Sequence, residues 1–167
     1  MKKQTIWLLA LMALNINFSV PANPAYAAQG DEAALTGAVD QFYSALNVMF
    51  TGDAAPMKAV WSHADDVTYM GPAGGFQKGW AEIEKVWDTH AALKLGGKVT
   101  PDQMVTTISQ DIAFTHNYEI GENFDSAGKP QKVSIRATNV FRKEEGQWKM
   151  IGHHTDLLPY LEKEAKQ

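Results

Sequence analysis

The hydrophobic pattern of this chain changes period for good at Gly96-Gly97, and that switch restricts the fold more than any motif does. Before it, apolar residues recur every three or four positions. Leu35, Val39, Phe42, Leu46 and Met49 form one helical stripe, and Trp80, Ile83, Trp87, His90 and Ala91 form another. After it, four segments near 98–108, 111–124, 131–143 and 147–156 carry strand-like patterns. Asp31 is the expected cap of the first helix and Gly52 its stop. Asp53 is expected to cap a short second helix through Met57, Val60 and Trp61, with Pro56 tolerated in its first turn. "DDVTYMGPAGGF" predicts a short strand around Asp66–Met70 running into a Gly/Pro loop, and a short helix is expected after the last strand. Three helices followed by antiparallel strands make an α+β domain, a cone in which a curved sheet wraps around the helices. The cavity at the open end of such a cone is the first place to look for function.

The chain opens with Lys2-Lys3, an apolar run Ile6–Leu14 and the small residues of Ala25-Tyr26-Ala27, the pattern of a secretory signal cut after Ala27. The run breaks at Asn15 and Asn17, short of the roughly 20 apolar residues a membrane span needs. The expectation is therefore a signal peptide over 1–27, one domain over 28–167, and an exported, periplasmic or secreted protein with no membrane attachment after processing. The chain has no cysteine, so such a domain must be held by its apolar core rather than by disulfides. The formal charge is −4, Lys2 and Lys3 leave with the signal, and no basic cluster stands out, which argues against nucleic acid as a partner.

The last hairpin, "NVFRKEEGQWKMIGHH", has a two-residue turn at Glu145-Gly146 that fixes a register. Regular pairing sets Phe141 opposite Met150, Asn139 opposite Gly152 and Ala137 opposite His154 on one face. The other face then carries Arg142 with Lys149, Val140 with Ile151, Thr138 with His153, and Arg136 with Thr155. The face of Phe141, Trp148 and Met150 is the inner one, because Arg142 and Lys149 prefer water. The adjacent histidines thus point to opposite sides, cannot chelate one metal from one regular strand, and leave His154 inside.

Three stretches carry a family resemblance: "FYSALNVMFTGD", "VWSHADDVTYMGPAGGFQKGWAEIEKVW" and "RATNVFRKEEGQWKMIGHHTD". With them the chain resembles the NTF2-like superfamily, and within it the SnoaL-like and DUF4440-type domains. It is also similar to the association domain of calcium/calmodulin-dependent protein kinase II, through the "DSAGKP" turn, the strand Thr138 to Val140, and Trp148 with His154 six residues on. The resemblance implies the cone fold and leaves the reaction open, because this fold hosts enzymes, binding domains and assembly domains. The pocket arginines and histidine of that association domain align with Glu119, Asn139 and Ile83, so its carboxylate pocket is not expected. The catalytic aspartate of steroid-isomerase relatives falls near Met70, where no carboxylate stands.

His154 is the expected catalytic residue, since an imidazole titrates near neutrality; the alternative is a histidine bridging strand and helix. Its partner would be Asn117 or Glu119 if strand 111–124 points its odd residues inward, as the resemblance implies. The other register would bury Phe114, His116, Tyr118 and Ile120 and makes the more apolar core. The expected pocket comprises Trp61, Tyr69, Trp87, Asn117, Glu119, Asn139 and His154, with Trp80 near its mouth; aromatic residues at helical spacing serve equally as core. His63 and Asp65 form at most half a metal site and are read as turn residues, so no metal is expected and no cofactor. "GPAGGF" lacks the Gly-Lys-Ser/Thr ending of a phosphate loop and is read as a flexible lip over the pocket. The expected partners are a small, mainly apolar organic ligand and a second copy of the chain, paired through Thr138, Val140 and Ile151 on the outer sheet face. Two functions are open: binding of that ligand, or SnoaL-like or isomerase-like acid–base catalysis on it.

Overall fold

The computed structural model describes residues 24–156. The expected signal sequence through Asn23 and the expected terminal helix beyond Asp156 lie outside the described residues. The elements run α1 (Pro24–Met49), α2 (Ala55–Val60), β1 (Thr68–Gly71), β2 (Gly74–Lys78), α3 (Trp80–Leu93), β3 (Lys98–Ile108), β4 (Ile112–Phe124), β5 (Pro130–Glu144) and β6 (Gln147–Asp156). The strands form one curved, unclosed six-stranded sheet in the order β2-β1-β6-β5-β4-β3. Every neighbouring pair is antiparallel except β1 with β6.

The helical stripes pack as their spacing dictates: Leu35, Phe42 and Met49 of α1 and Ile83 and Trp87 of α3 are buried with Phe141 and Met150 of the sheet. Burying each such side chain stabilises the fold by about 1.5–3 kcal/mol relative to leaving it exposed. The local starts and stops differ from expectation. Asp31 lies inside α1, not at its cap, and its carboxylate pairs with Lys143 instead. The cap residue of α2 is Ala54, while Asp53 Oδ1 accepts from the Ala55 N–H at 2.9 Å. Helix α3 ends at Leu93, where Lys94 turns left-handed and donates its N–H to the Ala91 carbonyl. Gly97 serves the next step: a Cβ there would sit 1.9 Å from the Glu122 carbonyl oxygen, so only glycine lets β3 begin this close to β4. "GPAGGF" is not a free loop, since Gly74–Lys78 pairs with β1 as a short edge hairpin.

The sheet settles the inner face of β4. Ala113, Thr115, Asn117 and Glu119 are buried, whereas Ile112, Tyr118 and Ile120 are exposed on the other side. The resemblance was the better guide here, and hydrophobicity misled, because the inner face of this strand is polar.

The last hairpin corrects the expected register. Its turn is as expected, with Glu145 and Gly146 both at positive φ, and Phe141 pairs with Met150 and Arg142 with Lys149. One residue later the ladder shifts: Val140 pairs with Gly152, Asn139 with His153, Thr138 with His154 and Ala137 with Thr155. Ile151 is the extra residue of a β-bulge, packed at the edge of the core. A one-residue insertion reverses the face of everything beyond it. His153 and Thr155 therefore point inward and are buried, and His154 points outward and is exposed.

Candidate functional site

The helices and the concave side of the sheet enclose a cavity of about 910 Å³. Its wall is mainly apolar: Phe42, Leu46 and Met49 come from α1, Trp87 and Leu93 from α3, and Val133 and Ile135 from β5. The β1–β2 hairpin supplies the rim through Gly71–Gly74, so "GPAGGF" lies at the pocket as expected, as a paired hairpin. Tyr69 closes one side, its ring 4.7 Å from Trp87 and stacked parallel to His153 at 5.9 Å.

The polar residues of the wall include Glu119, His153 and Thr155, from β4 and β6, and Asn123, with Gln77, Lys85, Thr89, His90, Lys132 and Ser134 elsewhere on the lining; Glu119 Oε1 lies 3.9 Å from His153 Nε2. Beneath them runs a buried hydrogen-bond network. Tyr43 donates its hydroxyl to Glu119 Oε1 at 3.3 Å and accepts from Asn117 Nδ2 at 2.8 Å and from Asn139 Nδ2 at 3.2 Å. Asn139 also donates to Thr115 Oγ1 at 3.0 Å and holds His153 Nδ1 at 2.6 Å through its Oδ1. The Thr155 hydroxyl is buried and has no partner in the protein.

Burial sets the protonation states. It pushes the Glu119 carboxyl up to about 7, against the Tyr43 hydrogen bond, which pulls it down. It lowers His153 to about 3, helped by the neighbouring His154. His153 is thus neutral, and its approach to Glu119 is not an ion pair. Burial and the nearby Glu119 charge raise both Tyr43 and Tyr69, so both phenols keep their protons.

Of the expected pocket residues, Tyr69, Trp87 and Glu119 line the cavity. Asn117 and Asn139 lie under its floor, buried and spent on the network. Trp61 is not a wall residue; it backs Trp87 at 5.4 Å within the core. Trp80 stacks on His63 at 4.0 Å, which gives that histidine a packing role. His154 is outside the site altogether, because the bulge at Ile151 turns it to the outer face, and the inward histidine is His153. The expectation missed His153, Thr155 and Tyr43. The available signal was Gly152, an isolated glycine inside a strand, which marks a bulge or a close backbone approach; here Thr68 Oγ1 and Val140 lie 3.4 Å from where its Cβ would be.

The family model of the SnoaL-like domain matches residues 36–158. The chain belongs to this SnoaL-like family. No curated protein matches it significantly. Among solved structures it is similar to a Thiobacillus denitrificans protein provisionally named a calcium/calmodulin-dependent protein kinase type II association domain. The two share 25% identity over 72% of this chain and 92% of that one, with a TM-score of 0.61. A provisionally named dehydratase of the NTF2-like family from Streptomyces avermitilis has 20% identity, coverage of 78% and 98%, and a TM-score of 0.68. An NTF2-like protein with a cystatin-like fold from Novosphingobium aromaticivorans has 19% identity, coverage of 86% and 93%, and a TM-score of 0.65. The last two similarities extend to the fold alone.

Proposed function

We propose that this domain binds a small, mainly apolar organic molecule in the cavity, with the polar end of the ligand against Glu119, His153 and Thr155. The observation that carries the reading is the cavity itself, which is large enough for a drug-sized ligand, is walled mainly by apolar side chains and brings Glu119, His153 and Thr155 together. Titration with β-naphthol, followed by NMR, tests it: shifts should concentrate at Tyr69, Trp87, His153 and Thr155. Leu46→Trp, which fills the cavity from α1, should abolish them without unfolding the domain. No shift at millimolar β-naphthol sinks the reading.

A second reading is favoured by Glu119. A carboxyl near pKa 7 on a cavity wall is poised to take and return a proton at neutral pH, which suits a SnoaL-like acid–base enzyme. In it Glu119 takes the role first expected of His154. Deuterium exchange at the carbon beside the carbonyl of bound β-tetralone should be accelerated by the wild type and not by Glu119→Gln. Exchange no faster than in buffer excludes this reading.

The proposal includes pairing of two copies through the outer face of the sheet. Its support is the apolar residues exposed there, Tyr118 and Ile120 of β4 and Val105 of β3, beside half-buried Thr138 and Val140. Ile151, the bulge residue, packs on the core and leaves this patch.

A further inference from the structure

The network under the cavity floor has a fixed direction, and that direction can be followed from a backbone carbonyl to the ligand. A peptide carbonyl only accepts. The Tyr118 carbonyl, 2.9 Å from the Asn117 amide, therefore faces its Nδ2. The other end of Asn117 is then Oδ1, directed at Thr115 Oγ1 and at Asn139, each 3.5 Å away. Asn139 must meet that oxygen with Nδ2, the end that also reaches Tyr43 Oη and Thr115 Oγ1. Its Oδ1 is left for His153, and at 2.6 Å from Nδ1 it requires the His153 proton to be on Nδ1. In a neutral imidazole the second nitrogen, Nε2, is then a bare lone pair. It lies on the cavity side, beside Glu119.

Tyr43 is oriented by the same rule. Its oxygen accepts from both asparagines, so its own proton goes to Glu119 Oε1, the acceptor within reach. The two groups that the network orients here, His153 Nε2 and ionised Glu119, thus accept hydrogen bonds. The protonated Tyr69 hydroxyl lies against Gly71 at the rim, and the Thr155 hydroxyl rotates to suit either polarity.

We propose that Asn117 and Asn139 act as positioning residues that lock the His153 tautomer, and that the cavity consequently selects apolar ligands whose polar head donates a hydrogen bond, an alcohol or phenol, over ethers and ketones of the same shape. This rests on the binding reading above and names its ligand class. A site built to accept from a hydroxyl leaves a buried polar group unpaired when the ligand cannot donate, and that loss discriminates more than a change of size does. The enol of a ketone offers the same donor, so the selection is compatible with acid–base chemistry on such a ligand.

Two measurements test it on the whole domain. Long-range proton–nitrogen correlation NMR of the wild type, without ligand, should show His153 protonated at Nδ1 and bare at Nε2. The opposite tautomer overturns the proposal whatever binds. In mildly alkaline buffer, where Glu119 is ionised, β-naphthol should bind about tenfold more tightly than its methyl ether, the equivalent of one hydrogen bond. Asn139→Leu should bring the two within about twofold; should that variant not fold, the two wild-type measurements still decide. Equal affinities in the wild type overturn the proposal while leaving the pocket intact. Binding of neither compound overturns the pocket reading, and the proposal with it.

Discussion

Replacing Glu119 with glutamine should make the domain more stable, and increasingly so as the pH rises. Glutamine keeps the shape and the oxygen that accepts from Tyr43 but cannot ionise. Burial moves the wild-type carboxyl from 4.5 to about 7. The folded state then holds this proton more tightly than the unfolded chain does. The stability it contributes is complete below pH 4.5 and is lost as the pH rises through about 7. A change from 4.5 to about 7 amounts to about 3 kcal/mol. His153 acts in the opposite sense: its value falls from 6.5 to about 3, so its contribution is present above pH 6.5 and lost as the pH falls towards 3. In the wild type the two effects offset one another between pH 4.5 and 6.5 and produce a plateau. In Glu119→Gln the histidine acts alone, and stability climbs through the same window. Urea unfolding followed by tryptophan fluorescence, at pH 4.5 and at about pH 7.5, measures the effect. The difference between variant and wild type should grow by about 3 kcal/mol between those two pH values. A difference that stays constant would refute the reasoning, because Glu119 would then ionise like an exposed carboxylate.

The bulge is tested by the paired histidines. His153→Ala leaves the buried Asn139 Oδ1 without its partner and should cost about 1–3 kcal/mol in urea unfolding, whereas His154→Ala, on the exposed face, should stay within about 0.5 kcal/mol. The reverse ranking would restore the regular register. Val140→Glu should split the proposed pair of copies by placing like charges across a two-fold axis, as read by light scattering; a wild type that is already monomeric at micromolar concentration removes that part of the proposal.

The fold was legible because it follows from periods that run over many residues. Leu35 to Met49 repeats often enough that no local exception erases the stripe, and the four late strands fall within a few residues of where their patterns place them. Single-residue events were not legible. Asp31 has the chemistry of a cap, yet α1 begins upstream, and the carboxylate meets a lysine far along the chain. The inner face of β4 was misjudged by hydrophobicity for a related reason. A polar cavity floor inverts the usual rule, burying Thr115, Asn117 and Glu119 and leaving Tyr118 and Ile120 outside.

The largest consequence came from the smallest feature. Trp148 and His154 are six residues apart, an even spacing that puts both on one face of a regular strand, and Ile151 breaks that parity after Met150. Along β6 the residues before the bulge face as expected and those beyond it are reversed, so the site lost His153 and Thr155 together. The same reasoning bears on Met70. A missing carboxylate at that position argues against proton transfer only if the position, rather than the cavity, defines the chemistry. Strands β1, β4 and β6 all contribute to one concave surface, and Glu119 of β4 brings to it a carboxyl that burial holds near neutrality. Correspondence of positions with relatives gave the inner face of β4 and missed the carboxyl's role, because a group at a different position can reach the same floor. What decides is the direction of each strand's side chains, and one inserted residue is enough to change it.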